Sequence, residues 1–188
     1  SKGFGLIHRF SEDIDILIHP PAGVSVAHGK NNNKPPHIKS RRDYFDSLTK
    51  QIRIPGIGQV TRDPEFDDPD KHRNAGIRLS YESHFDSVEG LKDGILLEVG
   101  FDRTQPSTKR LVSSWAYDRG VSSAGSILDN RAVDVACYRP EYTFVEKIQT
   151  VIRKSRQFRQ DGTLQRNFLR HYYDIYMLLG CEDVRSFI

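Results

Sequence analysis

Cysteine is scarce. The 188-residue chain has two, Cys137 and Cys181, far apart and with no histidine at ligand spacing. That excludes a disulfide framework and a zinc site, which need more sulfur or imidazole, and leaves two reduced thiols near or in a core. No apolar run approaches the roughly 20 residues of a membrane-spanning helix, and no signal-peptide pattern is present. The expectation is a soluble, cytoplasmic protein with no membrane partner. A strong excess of one charge is also missing: 28 Lys and Arg against 25 Asp and Glu give a net charge of +3. Such a balance permits an anionic partner without demanding one. There is no internal repeat. At 37% hydrophobic and 10% aromatic residues, the chain reads as globular rather than disordered. Its length suffices for one domain, or for a core with a helical annex.

Ser1-Lys2-Gly3 has no Met and leads directly into the densest motif, which points to a fragment of a longer protein or to a sequence of ordered residues only. Residues 2–8 read as the end of a short helix. Residues 13–18, Asp-Ile-Asp-Ile-Leu-Ile, are rich in β-branched side chains and read as a strand. The stretch 19–39 holds Pro20-Pro21, Asn31-Asn32-Asn33 and Pro35-Pro36 and reads as a loop. A helix is expected over 41–52, with Tyr44, Phe45, Leu48 and Ile52 on one face, then an acidic loop over 61–76. Strands are expected at 76–81, 95–101 and 132–137, while 111–119 is ambiguous. Beyond Pro140 the character changes. Thr143 and Glu146 form a capping-box pattern ahead of a helical stripe, and a second helix is expected over about 164–179, stopped by Gly180. The expected fold is α/β (α+β), with a mixed-sheet core over residues 1–140 and a helical region over 141–188.

Side chains alternate along a strand, so Asp13 and Asp15 share a face. Two such carboxylates repel unless a cation lies between them. Hard oxygen ligands of this kind suit Mg²⁺ or Mn²⁺, which also draw on substrate phosphates. The plainer reading is a strand end with two solvated acids. Glu98 interrupts the apolar run Ile95–Phe101, and an ionised carboxylate inside such a strand needs a compensating charge. Arg78 or Arg103 would serve, and so would a metal shared with Asp13 and Asp15, a grouping suited to two-metal phosphoryl chemistry. Ser1, Lys2, Arg9 and Ser11 lie ahead of or beside the acids, where cations and hydroxyls hold phosphate oxygens; a surface role for Arg9 stands equally.

From Lys147 to Arg159 the chain carries Lys147, Arg153, Lys154, Arg156 and Arg159 and no acid. Lys147 and Lys154 are seven apart and share a helical face. That fits a triphosphate or a nucleic-acid backbone, and equally a solvated helix face. Asp174 lies four residues after Arg170 and reads as a possible i,i+4 ion pair. The seven histidines show no metal spacing and read as surface or hydrogen-bonding residues.

Taken together, His8-Arg9-Phe10-Ser11-Glu12-Asp13-Ile14-Asp15 resembles the core motif of the AbiEii/AbiGii-type toxin nucleotidyltransferases. Tyr142-Thr143-Phe144-Val145-Glu146-Lys147 resembles that family's Glu-Lys motif, and Arg170-His171-Tyr172-Tyr173-Asp174-Ile175-Tyr176 its Asp-containing helix. The family's Gly-Gly-Ser/Thr turn would fall just before Ser1. The resemblance implies that Asp13 and Asp15 bind metal and that Lys147 and Asp174 face the nucleotide, with Glu98 in the place of a third carboxylate. It further implies a nucleoside triphosphate with Mg²⁺, tRNA or another RNA as acceptor, and a cognate antitoxin protein. The expected activity is nucleotidyl transfer by one half of a toxin–antitoxin or phage-defence pair. Its rivals are a non-catalytic nucleotide- or RNA-binding module and a metal-dependent phosphohydrolase.

Overall fold

The computed structural model describes residues 2–11, 13–84, 86, 93–101, 106–123, 127–163 and 167–188. Backbone packing gathers the chain into two compact units, Phe10–Arg103 and a second made of Ser1–Arg9 with Thr104–Ile188.

The first unit is a four-stranded mixed sheet with one long helix. Its elements are β1 (Asp13–Leu17), α1 (Pro35–Gln51), β2 (Gln59–Asp63), β3 (Asn74–Ser80) and β4 (Ile95–Gly100). The sheet order is β1-β4-β3-β2, with β1 parallel to β4 and the remaining pairs antiparallel. Phe45 of α1 is fully buried against Ala75, Ile77, Leu79, Leu97 and Val99, and Ile16 packs at the edge of that cluster. Alternation along the strands therefore leaves Asp13, Asp15 and Glu98 on the opposite sheet face.

Two expectations change here. Helix α1 begins at Pro35, six residues before the expected start, because Pro35 and Pro36 occupy its first positions; there a missing N–H costs nothing and the fixed φ is already helical. The acidic stretch expected as a loop contains β2. Its polar residues are legible only through their partners: Arg62 reaches Asp46 at 2.5 Å and Asp67 at 2.6 Å. The loop before α1 is tied down by Arg41, whose fully buried guanidinium donates to the carbonyls of Ala27, Asn32 and Lys71.

The second unit pairs β5 (Ser107–Val112) with β6 (Ala132–Tyr138) antiparallel, with α2 (Trp115–Ser123) between them in sequence. Three helices follow: α3 (Pro140–Asp161), α4 (Arg170–Leu179) and α5 (Glu182–Phe187). Phe144, Leu178 and Val184 form their core, with Leu6, Ile148 and Ile175 around it. The expected capping box does not form. α3 starts at Pro140, and the Thr143 hydroxyl, already inside the helix, donates back to the Arg139 carbonyl at 3.3 Å. Gly162, at φ 71°, ends α3 in the left-handed conformation that glycine adopts without strain. α4 starts at Arg170, after Asn167 at φ 61°; positions 164–166 of the expected helix lie outside the described residues. Among the described residues no helix is long and apolar enough to cross a membrane.

Candidate functional site

Two groups of charged side chains stand out, one in each unit. In the sheet unit, the parallel register sets Asp15 directly beside Glu98 and Asp13 beside Leu96. Asp13, Asp15 and Glu98 therefore project from one face of two adjacent strands. Asp15 is exposed, and Asp13 and Glu98 are half-buried. The Ser11 hydroxyl donates to Asp13 Oδ1 at 2.6 Å, which restricts the rotamer of that carboxylate. Arg78, one of the cations considered for Glu98, is drawn to Asp63 at 2.6 Å; Arg103 lies outside the described residues, as does Ser1.

The donor set is chemically right for a hard divalent cation: acid oxygens on one face, at the edge of a sheet, open to solvent at Asp15. Among the described residues, however, no three His, Cys, Asp or Glu side chains converge closely enough to enclose an ion. The group therefore fits the Mg²⁺ pattern of one or two carboxylates completed by substrate phosphates, rather than an all-protein cage.

In the helical unit the organising group is Asp174, with no exposed side-chain surface. Arg9 clasps it bidentately, Nε to Oδ1 and Nη2 to Oδ2, both at 2.7 Å. Lys147 Nζ of α3 lies 3.2 Å from Oδ2. Burial pushes the Asp174 carboxyl up, but the Arg9 hydrogen bonds and the Lys147 charge outweigh it and hold the group below the ordinary carboxylate range. The expected partner Arg170 does not take this role: Arg9 and Lys147 hold the carboxylate instead. Lys2 opens the helical turn Lys2–Phe4, and its side chain lies outside the described residues.

The expectation of a surface or hydrogen-bonding residue fails at His171. It is 6% exposed, with both ring nitrogens buried and without a hydrogen-bond partner. Burial first, then Lys154, Lys147 and Arg170, pull its pKa down to about 4 against the opposing Asp174. Lys154 is likewise lowered, by burial and by Arg170, Arg153 and Lys147. The available signal was spacing: His171 and Asp174 are three apart and share a face of α4, as Lys147 and Lys154 do on α3.

What this chemistry can do is bind anions in one unit and hard cations in the other. A family model described as the nucleotidyl transferase AbiEii toxin of Type IV toxin–antitoxin systems matches residues 1–186. No curated protein matches the chain, and neither does any solved structure. With nearly the whole chain matched, it belongs to the AbiEii family of nucleotidyl transferase toxins, transferase-class enzymes that act within toxin–antitoxin systems.

Proposed function

We propose that this protein transfers a nucleotide from an Mg²⁺- or Mn²⁺-bound nucleoside triphosphate to an RNA acceptor, tRNA being the first to test. One or two of the carboxylates Asp13, Asp15 and Glu98 would hold the divalent ion, with substrate phosphates completing its shell. When bound, that ion supplies charge neutralisation at the reacting phosphate. Within the helical unit Lys147 and Arg9, held in position by Asp174, would offset phosphate charge, and within the sheet unit Ser11 would hold Asp13 in its working rotamer. A hydroxyl oxygen of the acceptor forms a bond to the α-phosphorus as the bond from that phosphorus to the β-phosphate bridge breaks. Pyrophosphate leaves, and one of the strand carboxylates takes the hydroxyl proton. Positioning and electrostatics carry such a reaction, so no covalent nucleophile is needed.

The observation that supports this reading most is the parallel register that puts Asp15 beside Glu98, with Asp13 on the same face. The test is incubation with α-labelled nucleoside triphosphates, divalent cation and total RNA. Label on RNA is expected, with the loss of label in Asp13→Asn. Free monophosphate without labelled RNA would point to hydrolysis instead, and tight binding with neither product to a sequestering module. Either result retires the proposal.

A further inference from the structure

Near Asp174, both ring nitrogens of His171 are buried without a hydrogen-bond partner. An imidazole kept only for packing would be a poor choice there, because each buried and unpaired polar atom costs roughly 1–3 kcal/mol. Among the described residues its ring contact is with Phe168, edge-on at 6.3 Å, which uses neither nitrogen. The charges around the ring are lopsided. Lys147 and Lys154 face it from α3, and Arg170 and Asp174 share α4 with it; Arg9 reaches the group through Asp174. Since Asp174 is already occupied by Arg9 and Lys147, Lys154 and Arg170 are left with no counter-charge among the described ion pairs. His171 also sits in the first turn of α4, the positive end of the helix dipole.

We propose that Lys154, Arg170 and His171, beside Lys147, form a site for the terminal phosphoryl groups of a triphosphate, and that His171 takes up a proton as that anion binds. The inference rests on the transfer reading above and deepens it by naming a proton-linked positioning residue. In the free protein the ring is neutral because charging it among cations is unfavourable. An entering phosphate reverses the sign of the local field. The long side chains of Lys154 and Arg170 swing to the anion, the ring nitrogens are uncovered, and the imidazolium donates to a phosphoryl oxygen. Atoms balance: one proton passes from solvent to the imidazole, and no bond in the ligand changes.

The test is calorimetric titration of the full chain with inorganic triphosphate in chelator, across buffers of different ionisation enthalpy. Proton uptake is expected, and wild-type affinity should rise at least about tenfold more than that of His171→Asn between about pH 7.5 and about pH 5.5. Nitrogen chemical shifts of the His171 ring should move from neutral to cationic on binding. If His171→Asn fails to fold, Lys154→Met serves, with triphosphate affinity expected to fall about tenfold. Equal pH dependence in wild type and variant, a ring that stays neutral in the complex, or unchanged affinity in Lys154→Met would overturn the proposal. So would equal proton uptake with a short RNA bearing a 5′-hydroxyl, since that ligand has no terminal phosphate. Labelled RNA without proton uptake retires this inference alone; proton uptake without labelled RNA retires the transfer reading alone.

Discussion

Asp13 and Asp15 stand half-buried to exposed at the edge of a sheet, while Asp174 is closed off from solvent between Arg9 and Lys147. All are aspartates, yet their energetics differ. Near water, two carboxylates coexist at modest cost. Out of water, a carboxylate is tolerable only when it is fully paired. Removing an acid should therefore affect chemistry in the first unit and folding in the second.

The largest expected effect follows from the first half of that contrast. Asp13→Asn or Asp15→Asn should lower RNA labelling by ~10²–10³-fold, the scale seen when charge stabilisation at a reacting centre is lost. The thermal midpoint should stay close to wild type, and a variant that instead unfolds would break the contrast. Next comes Arg9→Met, which leaves the buried Asp174 with one cation. It should cost about 3 kcal/mol in a urea titration, whereas a cost near zero would mean that the clasp is not structural. Ser11→Ala should be milder, lowering labelling about tenfold by freeing the Asp13 carboxylate, again without loss of stability.

A pH dependence sharpens the contrast from the other side. His171 has a folded pKa near 4 against an ordinary 6.5, so the unfolded chain binds the proton first. Stability from this group is fully present above about pH 6.5 and is lost progressively as pH falls toward 4. His171→Phe should flatten that part of a stability-versus-pH curve, read as urea midpoints. Asp174, held low by Arg9, adds a loss only as pH falls further, through its depressed folded value.

Strand β1 and helix α3 were legible because their patterns are local: alternation over Asp13–Leu17 and a 3.6-residue stripe after Pro140. Their ends were less so. Pro35 and Pro140 each start a helix, and a proline dipeptide in isolation is as good a breaker as an initiator. β2 was missed because its residues, Gln59–Asp63, carry little apolar signal and are held by β3 and by ion pairs to distant acids. β5 and α5 were hidden for the same reason, being short elements that exist through what they pack on.

The candidate residues divide the same way. Asp13 and Asp15 announce themselves by spacing, and the matching of Glu98 to Asp15 needed the register between strands far apart in the chain. Lys147 and Asp174 were chosen by resemblance to a family motif, but no pattern in the sequence links either to Arg9, since Arg9 and Asp174 are 165 residues apart.

By itself, the order of residues determined the chemical types on each element, the carboxylate pair of β1, the acid-free basic run of α3, and the family. Tertiary structure decided which charges meet, which are shut away from water, and that His171 is buried with nothing to bond to. The reason is physical: spacing along one element is set by the backbone's own repeat, whereas burial and ion pairing depend on which distant segment packs against it.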